Sequence, residues 1–120
     1  MPIHFKKGNG GKTLVMQVNG RLTKEDFKPF TAEFDRLVRQ HGKLRVLADI
    51  TGFKGLDGGA LWEDLKLSVK HFDDLERMAV IGDKRWEEVL TNLAKPFNTM
   101  TLRYFDHADK ATARTWLREG

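Results

Sequence analysis

Apolar positions along this chain switch repeatedly between a two-residue and a 3.6-residue period. Ile3 to Phe5 and Thr13 to Val18 follow the strand period. Lys7 to Lys12 between them contains Asn9-Gly10, a dipeptide that tolerates the positive φ of a tight hairpin turn, so a β-hairpin is expected to open the fold. Asn19-Gly20 marks a second turn. Thr23 then stands where an N-cap belongs, its hydroxyl placed to accept from the free amides of the first helical turn, with Glu25 and Asp26 at the positive helix end. Phe27, Phe30, Phe34, Leu37 and Val38 form one stripe of a helix, and Gly42 stops it. Leu44 to Ile50 is nearly continuously apolar after its second residue, the signature of a strand buried on both faces.

A glycine-rich connection, Thr51 to Gly59, leads into a second helix with Leu61, Trp62, Leu65, Val69 and Phe72 on its apolar side. Met78 to Ile81 is another buried-strand run, closed by Gly82-Asp83. Trp86, Val89, Leu90, Leu93 and Ala94 make a third helix, ended by Pro96, which disfavours helical backbone at the residue before it. Met100 to Phe105 alternates as a strand, and Asp109 to Arg118 forms a last helix with Ala113, Trp116 and Leu117 inward. The order ββαβαβαβα predicts an α/β fold: a mixed sheet of about five strands with four helices, its helix-linked strands parallel neighbours joined by right-handed crossovers. With no Pro- or Ser-rich linker, the 120 residues read as one domain.

Composition narrows the function. Hydrophobic residues are 40% and charged residues 32%, the balance of a globular domain. The absence of cysteine excludes disulfides, a thiol nucleophile and thiolate metal sites. No apolar run reaches the roughly 18 to 20 residues of a membrane span, and Met1 to Lys7 lack a signal peptide's apolar stretch, so a cytoplasmic location is the expectation. Lys and Arg number 21 against 17 Asp and Glu, a net +4, yet most basic residues lie within four positions of an acid. A nucleic-acid partner needs its positive charge gathered on one face, and none is expected here. The only local excess is Lys6, Lys7 and Lys12.

Motifs for chemistry mostly fail. Gly10-Gly11-Lys12-Thr13 imitates the end of a phosphate-binding loop, but Lys6 stands where its first glycine is needed and a strand follows instead of a helix. Gly52, Gly55, Gly58 and Gly59 do not have dinucleotide-binding spacing. Ser68, the only serine, lies mid-helix with no nucleophile elbow around it. His4, His41, His71 and His107 fall in four different segments without metal-ligand spacing, although His71 could meet Asp73 and Asp74 at a helix end. No metal and no cofactor is expected. Asp49 stands out as an acid in an apolar strand, near the carboxyl end where open α/β sheets place ligands; the alternative is that it caps the following loop by accepting backbone amides. Asp83 occupies the corresponding place after the next sheet strand. Phe53, Leu56, Trp62 and Trp86 lie on or beside the loops at one edge of the sheet, where an apolar cleft could open; the alternative is that these aromatics are core.

Four strings carry a resemblance: GRLTKEDF from Gly20, VLADITGFKG from Val46, LWEDLKLSVKHFDDLERMAVIGDKRW from Leu61 and RYFDHADKATARTWL from Arg103. In this order they span about the last hundred residues, and the chain resembles the SpoIIAA-like family of small bacterial proteins. Their fold is similar to the sulfate transporter and anti-sigma factor antagonist (STAS) domain, and also to lipid-exchange domains of the CRAL-TRIO type. The resemblance implies a mixed sheet with helices, no enzymatic activity, and a role in protein interaction or in holding a small ligand. In the sporulation regulators, a serine at the start of the helix after the third strand is phosphorylated. Here that stretch reads Leu56-Asp57-Gly58-Gly59-Ala60-Leu61, without a hydroxyl, which puts such a switch in doubt.

The expectation is thus a non-enzymatic module that binds a partner protein or a small nonpolar molecule through Asp49, Phe53, Leu56, Trp62, Asp83 and Trp86. Alternatives are an enzyme with Asp49 and Asp83 as its acid/base pair, or a peripheral protein in weak contact with a membrane surface. A second copy of the chain is a further partner left open.

Overall fold

The computed structural model describes residues 3–8, 10, 12–56, 75–84 and 102–119. Five strands form one sheet: β1 (Ile3–Gly8), β2 (Thr13–Leu22), β3 (Leu44–Leu56), β4 (Leu75–Gly82) and β5 (Leu102–Asp106), side by side in that order. β1 and β2 are antiparallel, and every later neighbour is parallel. The expected hairpin and mixed sheet are both present. Two helices are described rather than four: α1 (Lys24–His41) and α2 (Lys110–Arg118), the latter entered through a short 3₁₀ turn, His107–Asp109. The second and third expected helices, with Trp62 and Trp86, lie outside the described residues, as do Ser68 and His71.

Each helix covers a different face of the sheet. Leu44, Val46, Ala48 and Ile50 of β3 join Leu14, Met16 and Val18 of β2 and Phe34 and Leu37 of α1 in one cluster. Leu47, one step out of phase, joins Ala79, Ile81 and Phe105 against Ala113, Trp116 and Leu117 of α2. This two-sided burial is why β3 and β4 read as unbroken apolar runs. Burying Phe34 and Leu37 almost completely stabilises the α1 contact by about 2 kcal/mol each. The side chains of Phe27 and Phe30 lie outside the described part of the structure. Trp116 meets Phe105 at a centroid distance of 5.7 Å in a tilted pair.

Helix α1 begins at Thr23 as expected, but the cap runs through its third residue. The Asp26 carboxylate accepts from the Thr23 amide at 2.8 Å and from the Thr23 hydroxyl at 3.1 Å. At the other end Gly42 takes φ +80°, and its amide donates to the Val38 carbonyl at 2.8 Å. A left-handed φ favours glycine there.

Two loop assignments are corrected. Asn19-Gly20 is not a turn, and Thr51 to Leu56 is not a loop. β2 and β3 continue pairing past Gln17 and Asp49, with Asn19 opposite Gly52, Gly20 opposite Phe53 and Arg21 opposite Gly55. β3 therefore carries one extra residue between Asp49 and Gly52 and another between Phe53 and Gly55, two β-bulges. The first bulge is what lets Ile50 and Phe53, three residues apart, face the same core. An unbulged strand would turn them to opposite faces.

Candidate functional site

Asp49 lies on the α2 face of β3, two residues beyond Leu47, opposite Gln17 of β2 and Ile81 of β4. It is the only buried charged residue among the described ones, 8% exposed. A carboxylate there needs partners, because burying an unpaired charge is costly. Thr51, in the bulge that follows, donates its amide to Oδ1 at 3.1 Å and its hydroxyl at 2.6 Å. Lys110, first residue of α2, brings its ammonium to 2.8 Å from Oδ2. Burial pushes the Asp49 carboxyl up, but the hydrogen bonds from Lys110 and Thr51 and the charge of Lys110 outweigh it, holding the group below the ordinary aspartate range.

The neighbouring strand ends complete the surroundings. Asp83 directly follows β4, and its carbonyl accepts from the Tyr104 hydroxyl at 2.9 Å. Asp106 ends β5 and starts the 3₁₀ turn by accepting from the Ala108 amide at 3.1 Å, while His107 Nδ1 lies 3.5 Å from the same carboxylate. A hollow of about 250 Å³ opens between them, lined by Thr51, Asp83, His107 and Lys110. It sits outside the carboxyl ends of parallel strands, where open α/β sheets bind ligands.

Of the residues the sequence proposed, the fold thus brings Asp49 and Asp83 to one end of the sheet. Asp49 accepts a backbone amide, as its loop-capping alternative had it, and carries an ion pair as well. Phe53 is in the core at 5% exposure, not on a loop. Leu56 ends β3, but its side chain, like Trp62 and Trp86, lies outside the described residues. The sequence reading missed Lys110 and His107. Their signal was the polar run from Asp106 to Lys110 at the entry to the last helix, but nothing local pairs Lys110 with an aspartate 61 positions earlier. Among the described residues no group of three or more His, Asp or Glu converges as a metal site, and no helix is long and apolar enough to cross a membrane.

Comparison with known proteins identifies the family and the fold. The profile of the SpoIIAA-like family matches residues 13–118. A crystal structure of a protein with a SpoIIAA-like fold from Shewanella loihica PV-4 is 31% identical, with a TM-score of 0.70 over 96% of this chain and 91% of that one. The anti-sigma factor antagonist SpoIIAA in its unphosphorylated form superposes with a TM-score of 0.63 over 94% of this chain and 96% of its own, at 14% identity, which shows a shared fold. No curated protein sequence matches.

Proposed function

The chain belongs to the SpoIIAA-like family, and from that premise we propose that it is a non-enzymatic regulatory module, one domain over residues 1–120, whose strand ends around Asp49 receive a polar group of a partner protein. The observation that carries this reading is the hollow lined by Thr51, Asp83, His107 and Lys110. Its described lining residues all carry polar or charged side chains, and its volume of about 250 Å³ falls below the roughly 300 to 1,000 Å³ typical of small-molecule pockets. Such a recess suits one side chain or one loop tip of another protein better than an enclosed nonpolar ligand. A structural relative that is an anti-sigma factor antagonist makes a regulatory protein the natural class of partner.

Two further points support the non-enzymatic part. Both Asp49 oxygens are engaged, and the carboxyl is held ionised, so it has no proton to donate near neutral pH. Taking up a proton would cost the Lys110 pair. A general acid or base works best with a pKa near the operating pH, and Asp49 is shifted away from it.

The experiment is affinity capture from the source cells with quantitative mass spectrometry, comparing the wild type with Lys110→Glu and His107→Glu. Native mass spectrometry of the purified chain, before and after mild organic extraction, accompanies it. A protein retained by the wild type and lost from both folded variants is the expected result. A copurified nonpolar molecule, or a captured protein indifferent to both substitutions, overturns the reading.

A further inference from the structure

The opposite end of the sheet holds a larger hollow, of about 720 Å³, between the hairpin turn, the amino end of β3 and the end of α2. Among the described residues its lining includes Lys12, Lys43, Arg45 and Arg118, against the one carboxylate of Glu76. These residues come from four separate stretches of sequence. Only one of the four cations, Lys12, belongs to the basic excess visible near the amino terminus.

The strand period sorts that excess. Lys7 pairs in register with Leu14 and so faces α1, where it lies 3.9 Å from Glu33. Lys6 pairs with Val15 and faces the α2 side. One cation is therefore spent on a salt bridge, while Lys12 joins Lys43 and Arg118, which the crossover and the last helix deliver to it. None of these three has an ion pair among the described residues.

Arg45 has a different task. Its guanidinium binds the Glu76 carboxylate through Nε and Nη2, and Nη1 donates to the carbonyls of Leu117 and Glu119 at 2.6 and 2.5 Å. Glu76 and the negative end of α2 are thus both answered by Arg45. Among the described residues, what faces the hollow beyond this framework is the charge of Lys12, Lys43 and Arg118, none of them held in an ion pair. Like charges gathered round a concave surface focus a positive potential into it. Gly8 adds room: a β-carbon built there meets no atom within 4 Å.

We propose that this hollow binds a compact, multiply charged anion, of the class of a small polyphosphate or tricarboxylate, held by Lys12, Lys43 and Arg118. Its volume lies within the range of small-molecule sites. Being at the other end of the strands, it does not depend on the partner site around Asp49.

The test is titration calorimetry of the full chain with tripolyphosphate and, separately, with citrate. Binding is expected in the submillimolar range and is expected to weaken as salt rises from about 50 to about 300 mM, since ionic strength screens exposed charges. Gly8→Glu puts a carboxylate into open space, and Lys43→Glu reverses one of the three charges; each is expected to weaken binding by about tenfold or more. Tripolyphosphate binding alone assigns a phosphate ligand; citrate alone assigns a carboxylate; equal binding assigns charge itself. No heat with either anion at about 5 mM, or affinity indifferent to both substitutions, overturns the proposal. If Gly8→Glu disturbs the circular dichroism spectrum, Lys12→Gln, at an exposed side chain, takes its place beside Lys43→Glu.

Discussion

Lys110 reaches across from the first turn of α2 to lie 2.8 Å from the Asp49 carboxylate, joining residues 61 positions apart and tying the helix to the carboxyl end of β3. Asp49 is nearly buried and Lys110 about half exposed, so the pair lies between the surface and interior regimes. Removing the cation leaves a carboxylate with only Thr51 to satisfy it. Lys110→Met is expected to cost about 1 to 2 kcal/mol. Asp49→Asn, which keeps an acceptor for Thr51, is expected to cost a similar amount. Denaturant unfolding of both variants and the double mutant should give a coupling of about 1 kcal/mol; strictly additive effects would separate the two residues energetically.

The same pair sets a pH dependence. The folded-state pKa of Asp49 is lowered, so its stabilising contribution is fully present above the unfolded aspartate value of about 3.9. It is lost as pH falls through the lower folded value. The stability gap between the wild type and Asp49→Asn should hold constant from neutral pH to about pH 5 and close below about pH 4. A gap that widened on acidification would mean that folding raises the Asp49 pKa instead of lowering it.

Arg45 and Arg77 stand directly opposite each other on β3 and β4. Two adjacent arginines are tolerated because both are directed at the carbonyl end of α2. Arg45 donates to Leu117 and Glu119, and Arg77 donates to the Trp116 carbonyl at 2.5 Å with its guanidinium carbon 4.9 Å from the Trp116 ring centroid. Together they supply partners that a helix end otherwise lacks. Arg77→Met is expected to cost about 1 to 3 kcal/mol and to speed amide exchange selectively over residues 113–119. Uniform acceleration across the whole chain would instead indicate global destabilisation.

Phe53 separates a binding role from a core role. At 5% exposure in the cluster with Val18 and Ile50, Phe53→Ala is expected to cost about 3 to 5 kcal/mol of stability. Thermal unfolding measures it. A variant as stable as the wild type would mean that the ring faces a cavity built for a ligand.

How far the sequence disclosed this depended on the range of the interaction. The runs from Leu44 to Ile50 and Met78 to Ile81 betray strands buried on both faces, and the Ala113, Trp116 and Leu117 triplet betrays the inner face of α2. Those signals are local. The site around Asp49 was legible only by half, since an acid in an apolar strand demands a partner but does not say which one. Arg45 hid for the same reason: its acceptors are carbonyls 72 and 74 residues away. The extension of β3 was misread because glycine ordinarily marks loops, whereas here Gly52 and Gly55 serve bulges.

That misreading yields the sharpest steric prediction. Gly52 stands opposite Asn19 in the bulged pair, and a β-carbon added to it would lie 2.2 Å from Asn19 Oδ1 and 3.2 Å from the Val18 carbonyl oxygen. The first distance is a hard overlap, which the Asn19 side chain can relieve only by leaving its present rotamer. The second is a tighter contact with backbone that must give by a few tenths of an ångström. Gly52→Ala is accordingly expected to destabilise the fold by about 1 to 3 kcal/mol. Adding Asn19→Ala removes the amide that the new methyl strikes and leaves the backbone contact, so the double variant should recover much of the loss without reaching wild-type stability. Chemical denaturation of the four proteins in the cycle measures this. If Asn19→Ala rescued nothing, the Val18 carbonyl would be the obstacle. The glycine would then be needed for the approach of the two backbones themselves, not for room beside one side chain.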